Sequence, residues 1–171
     1  MIYLNVGSNL PLNFNEKLLN IKKNIENIKK RKISIIRLSS LYETPSYPNK
    51  SDPMFLNICL KVKSSIAPEN LLKEFKTIES KMGRKTTKKN QARKCDIDII
   101  DYNGMIVNNN LITLPHPRMH LRNFVIYPLR EIEPNWSHPV FHEKIDIFFN
   151  NLNDISHNEI TRVAKNDIFK L

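Results

Sequence analysis

Residues 54–63, MFLNICLKVK, alternate without a break. Leu56, Ile58, Leu60 and Val62 fall on one side, and Phe55, Asn57, Cys59 and Lys61 on the other. A period of two marks a β-strand, and a strand with one apolar face needs neighbours in a sheet to cover it. This run therefore fixes a sheet as the frame into which the rest of the chain must fit.

The flanking segments supply the neighbours. Residues 2–6 (IYLNV) read as a strand that GSNL breaks, and residues 14–30 as a helix with Leu18, Ile21, Ile25 and Ile28 at spacings of three and four. Residues 33–42 read as a second strand, followed by a loop with Pro45, Pro48 and Pro53. Pro68 opens a helix whose apolar stripe is Leu71, Phe75, Ile78 and Met82, and Gly83 is placed to end it. Residues 84–94 (RKTTKKNQARK) form a basic loop, residues 95–102 (CDIDIIDY) a strand, and Asn103-Gly104 is a hairpin signal. A helix is expected to start at FVIYPLREI, with a short amphipathic helix near 142–151 and a strand near 159–163. The order β-α-β-β-α-β, with two strands consecutive, predicts an α+β fold. Its expected form is an antiparallel ferredoxin-like sheet with helices on one face and the other face partly open.

The 171 residues suit a single domain, 1–171, with 136–171 as a C-terminal packing segment. The net charge of +10 admits a nucleic acid, a membrane surface or an anionic small molecule, but lysine, asparagine and isoleucine are abundant throughout, and Lys22, Lys23, Lys29, Lys30 and Lys32 read as a solvated helix face. No run of about 18 apolar residues offers a membrane span. MIYLNVGSNL lacks the basic and apolar regions of a secretion signal, so a cytoplasmic location is expected. Cys59 and Cys95, each in an apolar run and without a CxxC pair, read as buried free thiols.

Three constellations could carry chemistry. Asp96 and Asp98, at i and i+2 on a strand, share a face, and their mutual repulsion is relieved by a cation. Hard oxygen ligands, few in number and completed by phosphates, suit magnesium. The cations that precede them (Arg84, Lys85, Lys88, Lys89, Arg93, Lys94) suit a polyphosphate, although a bare Asp-x-Asp and an exposed basic linker are also common. His116, between Pro115 and Pro117, could donate to a phosphate or act as an acid, with Arg122 and Phe124 close behind. The other histidines read as surface groups. Glu43-Thr44-Pro45 with Phe55 and Asn57 offers an amide for the edge of a heterocycle and a ring to stack on it; a half-buried strand face would look the same.

In this order the stretches Gly7-Ser8-Asn9-Leu10, Tyr42-Glu43-Thr44-Pro45, Phe55-Leu56-Asn57, Gly83-Arg84, Arg93-Lys94-Cys95-Asp96-Ile97-Asp98, Leu114-Pro115-His116-Pro117 and Arg122-Asn123-Phe124 resemble the 6-hydroxymethyl-7,8-dihydropterin pyrophosphokinases of folate biosynthesis over roughly residues 3–136. The resemblance implies a magnesium-dependent enzyme that moves pyrophosphate from ATP to the pterin hydroxymethyl group and releases AMP. It implies a three-layer α-β-α version of the ferredoxin-like sheet. Asp96 and Asp98 would bind two Mg2+ ions; Thr44, Pro45, Phe55, Asn57 and Phe124 would hold the pterin. Arg84, Arg93, Lys89, His116 and Arg122 would hold or neutralise the triphosphate, and Glu79, Ile99 and Thr113 would lie near the nucleotide. Lys89-Asn90-Gln91-Ala92 departs from the family's usual Gly-Pro turn before Arg93, and Lys89 keeps the charge of the family's arginine without its planar fork. The expected partners are small molecules only, with no nucleic acid or membrane, and the chain is expected as a monomer. An RNA-binding module on the same sheet is the competing reading; two acids where a phosphate backbone would approach, and no aromatic-rich strand, argue against it.

Overall fold

A computed structural model describes residues 1–47, 49–84 and 91–169. The strand β1 (Ile2–Ser8) is followed by the helix α1 (Phe14–Lys29), whose first turn is capped by Asn13: its side chain accepts from the backbone N–H groups of Asn15 and Glu16. Next come β2 (Ser34–Leu38), β3 (Leu41–Thr44), β4 (Phe55–Lys63) and the helix α2 (Pro68–Lys81). Pro68 stands at its first turn, and Gly83, at φ +94°, takes the left-handed conformation that ends it. The strand β5 (Asp96–Tyr102), the two-residue strands β6 (Val107–Asn108) and β7 (Thr113–Leu114) and the helix α3 (Asn123–Ile132) follow. The short helices α4 (Ile145–Asn150) and α5 (Asp154–Asn158) and the strand β8 (Thr161–Ala164) close the chain.

The main sheet is antiparallel in the order β5-β1-β4-β3-β8, with β2 also pairing with β4. The alternation in β4 works as its period requires. Leu56, Ile58, Leu60 and Val62 join Leu4 and Val6 of β1 and Ile97 of β5 in a core with Ile21, Ile25 and Ile28 of α1 and Leu71, Phe75 and Ile78 of α2. On the opposite face Tyr3, Cys59 and Ile100 pack against Val125, Ile126, Leu129 and Ile132 of α3 and, beyond it, Ile145 and Phe148 of α4. The expectation of helices on one face with the other partly open is therefore corrected: the apolar stripe of α3 covers much of the second face.

Three local expectations also change. The single strand over 33–42 is broken at Ser39-Ser40, because the hydroxyl of Ser39 accepts from Cys59 N at 2.9 Å while Ser40 N turns away to Glu131 Oε2 at 2.9 Å. Asn103-Gly104 does turn, with φ of 54° and 71° and Met105 N donating to Tyr102 O at 2.9 Å, but β6 then pairs with β7 rather than folding back on β5. His138, read as a surface group, is 4% exposed among Trp136, Phe141 and Phe148. Cys59 and Cys95 are both buried and unpaired, and burial raises both thiols well above their ordinary pKa. Among the described residues, no helix is long and apolar enough to cross a membrane.

Candidate active site

The cleft is built by register. Gly7 of β1 pairs with Asn57 of β4 on one side and Asp96 of β5 on the other, and Asn5 pairs with Asp98. Since paired residues share a face, Asn57 and the two acids stand on one side of the sheet, separated by a residue with no side chain. A Cβ at Gly7 would lie 3.0 Å from Asn57 Oδ1 and 3.4 Å from Phe55 Cδ1, so only glycine leaves this gap open. Thr44, paired with Phe55, continues the row at the end of β3.

The resulting cavity is lined by Asn5, Thr44, Pro45, Tyr47, Phe55, Asn57, Arg93, Asp96, Asp98, Arg118, Arg122 and Phe124. Its floor is a chain of amides. Asn57 Nδ2 donates to Thr44 Oγ1 at 3.1 Å, and Asn5 Nδ2 to Asn57 Oδ1 at 3.4 Å. Asn5 Oδ1 is buried and, among the described residues, has no hydrogen-bond partner, an acceptor that a ligand amine could satisfy. Phe55 and Phe124 form the apolar walls, with the guanidinium of Arg93 5.7 Å from one ring centroid and that of Arg122 5.4 Å from the other.

The acid end is held by arginines. Arg84 Nη1 donates to Asp96 Oδ1 at 2.9 Å, Arg93 Nη1 lies 3.3 Å from the same oxygen, and Arg122 Nη1 lies 4.0 Å from Asp98 Oδ2. Burial first, then the Asp96 charge, push Asp98 up to about 6, against the pull of Arg122. Burial and the neighbouring Asp96 charge together disfavour the ionised form of Asp98. Two carboxylates on one face are a donor set that fits a hard divalent ion whose remaining ligands are phosphate and water oxygens.

Glu79 is 1% exposed and works behind the acids. Its Oε1 accepts Ile97 N at 2.9 Å, and its Oε2 takes Lys76 Nζ at 2.9 Å and lies 2.6 Å from Arg84 Nη1, so it fixes both the start of β5 and the arginine that touches Asp96. Burial lowers the Arg84 pKa, but Asp96 and Glu79 more than reverse this. Asn9 ties the two rims together: its Oδ1 accepts Arg93 N at 2.6 Å, and its Nδ2 donates to Ser46 Oγ at 3.1 Å and Pro53 O at 3.2 Å. His116 is pushed down to about 4 by burial and by Arg122 and Arg118, so its ring is neutral near pH 7. Its Nδ1 accepts from Arg118 N at 3.2 Å, which leaves Nε2–H as a donor.

Of the residues singled out from sequence, Thr44, Pro45, Phe55, Asn57, Arg93, Asp96, Asp98, Arg122 and Phe124 meet in one cavity. Arg84 joins them through Asp96. Ile99, 5% exposed, lies in the core beneath the acids, and Thr113 bonds Asn108 in the small sheet. Lys89 lies outside the described residues. Asn5, Tyr47 and Arg118 line the cavity and were not picked out. A polar Asn5 interrupting an apolar strand two residues before Gly7 was a readable signal; Tyr47 carries none.

A cleft with paired acids among arginines at one end and an amide-floored aromatic slot at the other has the chemistry to take a polyphosphate and a flat heterocycle. Comparison with known proteins makes the class specific. The pattern of the 7,8-dihydro-6-hydroxymethylpterin-pyrophosphokinase family matches residues 3–134. A 2-amino-4-hydroxy-6-hydroxymethyldihydropteridine pyrophosphokinase of Aquifex aeolicus is 35% identical over 86% of this chain and 89% of its own length. The folic acid synthesis protein FOL1 of Dictyostelium discoideum is 41% identical over 83% of this chain, which spans only 21% of that longer protein. Among solved structures, a Plasmodium falciparum HPPK-DHPS shares the fold with a TM-score of 0.70 at 17% identity, over 87% of this chain and 43% of that one. The chain belongs to the 7,8-dihydro-6-hydroxymethylpterin-pyrophosphokinase family, enzymes of folate synthesis that move pyrophosphate from ATP to hydroxymethyldihydropterin.

Proposed function

We propose that the cleft between β1, β4 and β5 is where this chain transfers pyrophosphate from ATP to the hydroxymethyl group of 6-hydroxymethyl-7,8-dihydropterin, releasing AMP. The observation that carries this reading is that Asp96 and Asp98 share one cavity with Asn57 and Thr44. The pterin lies between Phe55 and Phe124, with Thr44, Pro45 and Asn57 along its edge and the free acceptor of Asn5 within the same floor. Its alcohol then faces the acids. Asp96 and Asp98 hold two Mg2+ ions, which when bound neutralise triphosphate charge and ease exposure of the alcohol oxygen as a nucleophile.

The arginines do the rest. Arg93 and Arg122 line the same cavity as the acids and Arg84 touches Asp96, so the three neutralise and align the phosphates; transfer of this kind depends on position and charge more than on covalent help. His116 offers a neutral Nε2–H to a phosphate oxygen. Glu79 contributes by holding Arg84, and Ile99 and Thr113 stand on the nucleotide side with Lys89. The strand order and helices on both faces support a three-layer ferredoxin-like sheet, working as one monomeric domain in the cytoplasm.

The test is direct. With ATP, magnesium and hydroxymethyldihydropterin, the protein forms AMP, followed by chromatography. Asp98→Ala abolishes AMP formation while circular dichroism stays native, because a Lewis-acid site of this kind contributes on the order of several kcal/mol to the barrier. Wild-type turnover in that variant rules out the assignment of Asp98.

A further inference from the structure

Beyond the matched region the chain returns to the cleft. A second cavity shares Thr44, Pro45, Tyr47, Arg118, Arg122 and Phe124 with the slot and is closed on its far side by residues from the C-terminal segment, Asn153, Ile155, Ser156 and Glu159. We infer that segment 153–159 is the outer wall of the pterin side of the cleft, and that Glu159, through its ion pair with Lys50, is a positioning residue for the pterin. This rests on the assignment of the slot made above.

Both ends of the segment are fastened beside slot walls. At one end, Asn123 Nδ2 donates to Ser156 O at 2.7 Å, one residue from Phe124, and Tyr127 Oη and His157 Nδ1 share a hydrogen bond at 2.7 Å. At the other, β8 pairs with β3, Glu43 opposite Thr161, one residue before Thr44. Between these anchors Glu159 reaches across and pairs with Lys50, beyond Pro45 and Tyr47 in sequence. The wall is thus anchored where it meets α3 and β3, and the Lys50–Glu159 pair is the contact by which it reaches the loop after β3 that carries Pro45 and Tyr47.

The pair is open to solvent, with side-chain exposures of 62% and 30%. Exposed pairs add little to folding stability, so its effect belongs to where Pro45 and Tyr47 sit rather than to whether the protein folds. Pro45 and Tyr47 line both cavities, whereas Asp96 and Asp98 line only the slot, so the second cavity and its wall are expected to act on the pterin rather than on ATP.

The experiment compares Lys50→Glu, Glu159→Lys and the double exchange, with Asn57→Ala in parallel. Each single reversal raises the KM for hydroxymethyldihydropterin roughly fivefold, the scale of one surface pair turned repulsive; the double exchange returns it to within about twofold, since coupled sites are not additive. The KM for ATP and the melting temperature stay unchanged. An unchanged pterin KM in both single variants, or a double exchange that fails to restore it, overturns the inference. If Asn57→Ala weakens the pterin in that case, the slot stands and only the wall is lost; if Asn57→Ala has no effect either, the slot assignment falls with it.

Discussion

At Gly7 an added Cβ would come within 3.0 Å of Asn57 Oδ1 and 3.4 Å of Phe55 Cδ1, both on the ligand side of the sheet. Gly7→Ala therefore displaces the amide assigned to the pterin edge, and losing a well-placed hydrogen bond at that edge costs on the order of 1–2 kcal/mol. Titration by pterin fluorescence is expected to show roughly tenfold weaker binding with ATP affinity retained; equal losses for both ligands would contradict the slot. A second residue-scale effect lies away from the cleft. His138 is 4% exposed, and burial, then His120, push it down to about 4 from 6.5. Between those values the unfolded chain takes up a proton that the folded chain refuses, so the stability contribution is complete above pH 6.5 and is lost as pH falls through 4. At pH 5 this costs about 2 kcal/mol. Urea unfolding at pH 7 and pH 5 should show that difference shrink in His138→Asn; an unchanged difference would mean another group drives the acid sensitivity. Asp96 and Asp98 were legible as a pair because strand period fixes that i and i+2 share a face; that Asn57 stands on the same face follows from the register through Gly7, which the sequence does not display. His138 was not legible either, since its burial depends on Trp136, Phe141 and Phe148, contacts that no local pattern encodes.

Between elements, the contact that most depends on one side chain is the docking of α3 on the sheet. Glu131 accepts from Ser40 N at 2.9 Å, from Ser40 Oγ at 2.8 Å and from Tyr42 Oη at 2.9 Å, at the break between β2 and β3. Burial first, then Glu131, raise the Tyr42 pKa, so the hydroxyl stays a donor. Glu131→Ala leaves a backbone N–H and two hydroxyls without that acceptor, and the loss in urea unfolding is expected to be about 3 kcal/mol, with Glu131→Gln nearer the wild type. A variant within a few tenths of the wild type would mean that water replaces the carboxylate at no cost. The same break explains what the sequence concealed. Strand tendency across 33–42 is continuous, and Ser39 and Ser40 look like ordinary strand residues until Cys59 and Glu131 compete for them. The helix from Pro68 to Gly83 was legible because its start, stripe and stop are all local. The turn at Asn103-Gly104 was legible too, whereas the partner of β6 was decided by β7, six residues further on.

For the whole molecule the question is what covers the second face of the sheet. The first face is closed by α1 and α2, whose stripes can be read directly. The second relies on α3 and on residues after the matched family region: Trp136, Ile145, Phe148 and Leu152 are 5%, 0%, 8% and 9% exposed and pack with Ile126 and Leu129. Their spacing follows the surface they meet rather than a period of their own, which is why this segment carried so weak a pattern. Trp136 adds a polar tie, its Nε1 donating to Asp101 Oδ2 at 2.8 Å at the end of β5. Burial of an aliphatic or aromatic side chain contributes about 2 kcal/mol, so loss of Ile145, Phe148 and Leu152 together removes about 6 kcal/mol, as much as the total stability of many domains. A chain ending at residue 144 is therefore expected to lose its cooperative thermal transition and to bind a hydrophobic dye. A chain ending at residue 152 keeps those three side chains but loses the wall at 153–159 and the strand β8. It should unfold cooperatively, with a lowered melting temperature, and bind the pterin more weakly while still binding ATP. A cooperative, wild-type-like transition in the shorter chain would show that the second face closes without its C-terminal cover, and collapse of both chains alike would show that β8, rather than the apolar trio, holds the end of the molecule.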